Sequence, residues 1–315
     1  MIFREFASRD KMIRARFLST VVCAGLCVVL GLASAQEETP VPKAPAPDSV
    51  AVARKADMDA TLDQAMEAYQ ISDFDSARKI VETRPDHPVA RLILALCQTH
   101  DQTKLNYDAG LKTLSDIWMD DSQDTALRVQ AGLSRARVIQ VFQWRDMNRE
   151  YSDVDVEGIF RKVMEMVPDQ EGACTAVLYL AENYLFALDK EGNPDKSKVD
   201  QGFELLEGFI RDFKGKPKDL VPIHLYLDPF YIAMRADYAS SVAHLKRALD
   251  AGVTNQTTAR STIFRVARIS QVELKDIETA KKYYRMFQQN YQYAREKPLV
   301  DKYLKELEGQ NAPQD

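Results

Sequence analysis

The chain has 315 residues, of which 45% are hydrophobic and 28% charged, and its formal net charge is -5. That composition supplies a large apolar core and excludes an intrinsically disordered chain. The negative balance also argues against nucleic acid as a partner, because phosphate neutralisation dominates that kind of binding.

Residues 1–35 read as an export signal. Arg4, Arg9, Lys11, Arg14 and Arg16 precede an apolar stretch from Phe17 to Leu32, and Ala33-Ser34-Ala35 places small residues at -3 and -1 of a cleavage site. Cleavage after Ala35 is expected, giving a periplasmic or secreted protein. Met12 would begin a more compact signal. The competing reading is an uncleaved anchor, since the stretch is close to the shortest spanning length; membrane association is expected only in that case. Cys23 and Cys27 lack the run that precedes a lipidated cysteine. Beyond the signal, 37 basic residues stand against 45 acidic ones.

Residues 36–50 carry Pro40, Pro42, Pro45 and Pro47, a density that favours an extended, disordered tether. The folded body is expected over 51–310 and a disordered tail over 311–315. Within the body Cys97 and Cys174 both sit in helical apolar runs. An exported protein could bridge them, but the expectation is two buried thiols, since free cysteine commonly packs as a small hydrophobe.

Helix-period patterns fill the body, with no period-two strand. Helices are expected over 56–71, 76–83, 89–100, 106–119, 124–145, 154–167, 173–188, 198–213, 220–234, 238–250, 257–272, 277–290 and 297–308. Pro85, Pro88 and Pro168 mark boundaries, because proline does not continue a helix interior. Pro229 is expected to kink or split its helix, or to open a new one. The segment 189–196, with Gly192-Asn193-Pro194, is the plainest loop.

A pattern recurs along these helices. Ala77, Gly110, Val156, Gly202, Ser241 and Ala280 are small or slim anchors, followed four residues later by Val81, Leu114, Phe160, Leu206, Leu245 and Tyr284. At seven residues stand Arg84, Ile117, Val163, Phe209, Ala248 and Phe287; three before the anchor stand Phe74, Tyr107, Asp153, Val199, Tyr238 and Ile277. The anchors are 33, 46, 46, 39 and 39 residues apart, a spacing typical of stacked helical hairpins.

Asp73-Phe74-Asp75-Ser76-Ala77, Asn106-Tyr107-Asp108-Ala109-Gly110 and Asp276-Ile277-Glu278-Thr279-Ala280 resemble the turn and second-helix start of tetratricopeptide repeats. Val156, Phe160, Val163 and Pro168 are similar too, with the proline twelve residues after the anchor. The resemblance covers about six half-repeats; the first helices depart from it, as at Arg268, where the family prefers a small residue, although Ala65 fits. It implies an all-α, right-handed solenoid of about six stacked hairpins, divergent and tetratricopeptide-like, whose work is protein binding. The inner positions Thr262, Arg265, Ile269 and Val272 do not reproduce the basic clamp with which some such domains hold C-terminal carboxylates.

No HExxH, Walker loop, GxGxxG, GxSxG or paired CxxC occurs. His87, His100, His224 and His244 are scattered and read as structural or surface groups rather than metal ligands. Asp189 to Asp200 has alternating oxygens like a calcium loop, but Pro194 takes the place of the required glycine and Asp200 that of the bidentate Glu. A solvated loop is expected there. Asn255-Gln256-Thr257 is a glycosylation sequon. The aromatics Tyr226, Phe230, Tyr231 and Tyr238, and Tyr283, Tyr284, Phe287, Tyr291 and Tyr293, are expected to be hairpin core for about half and ordinary surface for the others, the alternative being that some anchor a groove; Trp118 and Trp144 are similarly open.

The function expected from these features is an exported, non-enzymatic helical-repeat scaffold with a protein or peptide partner in the cell envelope and no cofactor or metal. The alternative is an exported enzyme on a helical array, acting on glycans through two carboxylates held at fixed separation.

Overall fold

The computed structural model describes residues 49–145 and 151–309. The signal segment, most of the tether and the tail fall outside the described residues. Among the described residues the protein is all-α, with thirteen α-helices and no strand; a single isolated bridge joins Leu188 and Pro194. The helices are α1 (Ser49–Gln70), α2 (Phe74–Val81), α3 (Pro88–His100), α4 (Tyr107–Met119), α5 (Thr125–Arg145), α6 (Val156–Met166), α7 (Glu171–Leu185), α8 (Lys196–Asp212), α9 (Val221–Arg235), α10 (Tyr238–Ala251), α11 (Gln256–Val272), α12 (Ile277–Asn290) and α13 (Lys297–Gly309). None of the described helices is long and apolar enough to cross a membrane. The chain divides into two compact units, one ending at Val156 and the other beginning at Glu157.

In the first unit each helix from α1 to α4 packs against its successor, and α1 also meets α3, as α3 meets α5. Leu62, Ala65, Ala77, Val81, Ile93, Leu96, Leu114, Ile117, Ala131 and Ile139 form its core. Gly110 explains how α3 and α4 approach. A Cβ placed there would lie 2.7 Å from Thr99 Cγ2 and 2.9 Å from the Ala95 carbonyl oxygen, so a side chain is excluded by the neighbouring helix itself. Trp118 is buried in the same way against Gly132, whose added Cβ would stand 2.5 Å from Trp118 Cε3.

The second unit has two apolar clusters. Cys174, Val177, Ala181, Leu185, Phe203, Leu206, Ile223, Leu227 and Phe230 make one. Val242, Leu245, Ile263, Val266, Ala280, Tyr284, Phe287, Val300 and Leu304 make the other. The strongest pairings are α7 with α8, α9 with α10, and α11 with α12. All six small anchors are buried, and so are all six residues four positions on.

Three corners between successive helices share one device. Asp73, Asp237 and Asp276 each stand four residues before an anchor and accept a hydrogen bond from the backbone N–H of Ser76, Ser240 or Thr279 at 3.2, 2.9 and 3.0 Å. Each satisfies an N–H that the first helical turn leaves without a partner. The residue just before each aspartate is left-handed: Ser72 (φ 65°), Ala236 (φ 50°) and Lys275 (φ 54°). None is glycine, so each corner carries a steric cost on the order of 1 kcal/mol. Lys275→Gly is therefore expected to raise stability by about 0.5–1 kcal/mol, read as a shifted urea midpoint at unchanged slope.

Several boundaries differ from the sequence expectation. The second helix starts at Phe74 rather than 76, because Asp73 caps it. Helix α1 extends back to Ser49, so residues 49 and 50, assigned to the tether, are helical. A short 3₁₀ turn, Pro217–Leu220, precedes α9. Pro229 neither splits its helix nor opens a new one; it lies inside α9. Proline gives up the N–H that would bond to the Leu225 carbonyl. The burial of Leu227, Asp228, Phe230 and Tyr231 anchors the turns on both sides of it.

Candidate functional site

The most elaborate polar arrangement lies in the second unit, where α8, α9, α10 and α11 contribute side chains to an otherwise apolar interior. His224 on α9 and His244 on α10 are 4% and 2% exposed, and their Nδ1 atoms are 3.0 Å apart. His244 Nε2 is 2.8 Å from Glu207 Oε1 on α8, and the Tyr231 hydroxyl donates to the same oxygen at 2.6 Å. The Tyr231 ring stacks on His244 at 5.2 Å and 19°.

A carboxylate only accepts, so His244 donates from Nε2 to Glu207, and one hydrogen, on one Nδ1 or the other, fills the contact between the rings. The hydrogen bond from His244, followed by that from Tyr231, holds the Glu207 carboxyl down to about 2. Burial, reinforced by neighbouring His244, lowers His224 to about 4. Burial and then Glu207 push the Tyr231 phenol up.

A second branch runs beside the first. Asp228 on α9 is 5% exposed, accepts from the Ser241 hydroxyl at 2.6 Å and pairs with Arg265 of α11 at 2.6 Å. Arg265, an inner position considered for a carboxylate clamp, is thus already committed to Asp228. Thr262 bonds back to the Thr258 carbonyl, Ile269 is buried, and Val272 is exposed. Among the described residues no side-chain hydrogen bond or ion pair joins any two of these four.

Two of the four histidines scattered in the sequence come together. His224 and His244 meet, whereas His87 caps α3 by accepting from the Val89 N–H, and His100 lies 2.6 Å from the Tyr69 hydroxyl. Burial pushes His100 down to about 4. The signal for the pair was a polar residue on an apolar stripe: His244 shares its face with Ser241, Leu245 and Ala248, and His224 sits one turn before Asp228 among Ile223, Leu227 and Tyr231.

The aromatics differ in burial. Phe230, Tyr231, Tyr283, Tyr284 and Phe287 are core; Tyr226, Tyr238 and Tyr291 are half-buried, and Tyr293 is fully exposed. Trp118 is core, while Trp144 is 38% exposed beneath the Arg137 guanidinium. Cys97 and Cys174 are free and buried, and burial raises their thiols to about 11 and about 12. The Asp189 carboxylate accepts from the Glu191 and Asn193 N–H groups, making a self-satisfied loop, and Asp200 pairs with Arg235. Among the described residues no group of three or more His, Cys, Asp or Glu is placed to hold a metal ion.

The first unit has a groove of about 530 Å³ lined by Tyr69, Ser72, Asp73, Phe74, Asp75, His100, Asp101, Gln102 and Thr103. Its carboxylates are engaged: Asp73 caps α2, Asp75 pairs with Lys104, and Asp101 pairs with Arg78 at 2.6 Å. Glu171 in the second unit is pushed up to about 7 by burial and by Asp219. Asp219 itself stands half-buried on the 3₁₀ turn. Compared with known proteins, the chain matches no family model and no curated protein sequence.

Proposed function

We propose that the protein is an exported, non-enzymatic scaffold, a divergent tetratricopeptide-like solenoid of about six hairpins that holds a protein or peptide partner in the cell envelope. The observation that carries this reading is the burial of the six recurring anchors together with their six +4 partners. A stacked-hairpin array needs slim residues at each seam, because every unit buries its apolar stripe only against a neighbour. Next-but-one contacts between first helices, such as α1 with α3 and α7 with α9, agree with such stacking. The buried histidine network joins α8, α9 and α10 within the core.

Export rests on the basic, apolar and small-residue pattern of residues 1–35. Affinity capture of the full chain from its native envelope, with reciprocal capture from the partner, is the test. One protein recovered in stoichiometric amount in both directions is the expected result. A monomer that captures nothing specific would remove the scaffold reading, and sequencing of the mature N-terminus separately decides whether cleavage follows Ala35.

A further inference from the structure

The groove of the first unit lies at the α1–α2 corner, beside the loop that joins α3 to α4. Its volume, about 530 Å³, falls within the roughly 300–1,000 Å³ that ligand clefts occupy. Tyr69 is almost buried, and its ring meets those of Phe74 and His100, each with centroids 5.9 Å apart. Asp73, Asp75 and Asp101 line the same groove, and among the described residues that line it there is no lysine or arginine. We propose that this groove takes a lysine or arginine side chain from a basic segment of the partner protein, an assignment that rests on the scaffold reading above.

Charge complementarity carries the choice of occupant. Arg78, 13% exposed, pairs with Asp101 at 2.6 Å and so offsets one of the three carboxylates. Lys104 bonds Asp75, but the two side chains are 58% and 74% exposed. An exposed pair of this kind is weak, so an incoming cation can take the place of Lys104. Three carboxylates then face one guanidinium, an excess of two negative charges. That excess outweighs the partial positive charge, about one half, at the N-terminus of α2. Asp73 and Asp75 are exposed and use Oδ1 in their contacts with Ser76, Arg78 and Lys104. A carboxylate accepts at about four positions, so both keep capacity for a further donor.

The rings add to the attraction, because a cation within about 6 Å of an aromatic centroid is drawn to the face of the ring. Phe74 is half-buried and so leaves part of its ring open. Burial holds His100 at about 4, so its imidazole adds no positive charge at neutral pH. An acidic or phosphorylated segment would meet repulsion in the same place. Residues 36–315 hold 37 basic against 45 acidic residues, and the resulting field steers a basic segment toward the chain.

Fluorescence anisotropy of the full chain with a labelled peptide alternating lysine, arginine and glycine tests the groove. The same peptide with glutamine at every cationic position is the control. The basic peptide is expected to bind and the control is not. Asp75→Asn is expected to weaken binding about three- to fivefold, and Phe74→Leu by a similar factor. Lys104→Gln removes the competing ammonium and is expected to strengthen binding about threefold. Glu278→Gln and Lys302→Gln, at exposed residues of the second unit, change the net charge equally and are expected to leave binding unaltered. Absence of binding, equal effects of E278Q and D75N, or weaker binding by K104Q overturns the proposal. Should F74L fail to fold, D75N and K104Q decide, since both residues are exposed. The envelope capture fails separately. A captured partner indifferent to D75N removes the groove and leaves the scaffold; an empty capture removes the scaffold, while the peptide titration still decides the groove.

Discussion

Gly202→Val is expected to cost about 3 kcal/mol of folding stability, while Gly208→Ala, further along the same helix, is expected to add about 0.5–1 kcal/mol. The contrast isolates the seam. A Cβ at Gly202 would lie 2.8 Å from Leu185 Cγ and 3.2 Å from Tyr184 Cβ, atoms close to the backbone of α7 that have little room to yield. Valine adds two further methyl groups to that collision and brings a stiff χ1. At Gly208 the only neighbour of an added Cβ within reach is Arg211 Nη2 at 3.6 Å, an ordinary contact. Alanine there removes the entropic penalty of a mid-helix glycine and meets no obstacle. Urea denaturation of both variants reads the two signs. Two losses of equal size would mean that helix propensity and packing have been misassigned, and a neutral Gly202→Val would mean that α7 and α8 do not meet at that residue.

Asp228→Ala is expected to cost about 3 kcal/mol, the second large effect. The carboxylate is buried and serves both Ser241 and Arg265. Removing it strands the Ser241 hydroxyl, which is 0% exposed, and opens a small void beside Leu227. Arg265 loses less, because its side chain is 45% exposed and can return to water. A double-mutant cycle with Arg265→Ala separates the parts: coupling of about 1 kcal/mol is expected between the charges, with the larger share of the loss remaining in the single Asp228 variant. Coupling near the full loss would transfer the weight to the ion pair.

The helices were legible because their apolar residues follow a 3.6-residue period that packing then uses directly. The anchors Ala77, Gly110, Gly202 and Ala280 were visible for the same reason. Small residues at a fixed offset from large ones describe a seam from one side. What the pattern left out is whatever depends on the other side. Asp73, Asp237 and Asp276 each follow a left-handed residue, Ser72, Ala236 or Lys275, and nothing in those three residue types announces that conformation. Pro229 read as a break because the rule for proline is local, whereas Leu227 and Phe230 hold α9 through contacts made elsewhere. His224 and His244 are twenty residues apart and Glu207 lies 37 from His244, so no spacing rule joins them. Their positions on apolar stripes were the available hint, and it identifies a buried histidine without saying what it touches.

Neighbour-on-neighbour packing also bears on how the chain is built. Within each unit the principal contacts link a helix to the one just before or after it in sequence. Ends that must meet are therefore joined by short loops, and little closure entropy is spent before the first apolar contacts form. Chains organised this way acquire structure quickly and can do so from whichever portion is free. A nascent segment of this protein can pack against the helix before it while the remainder is still arriving, so the time its apolar stripes spend bare is set by the emergence of one more helix.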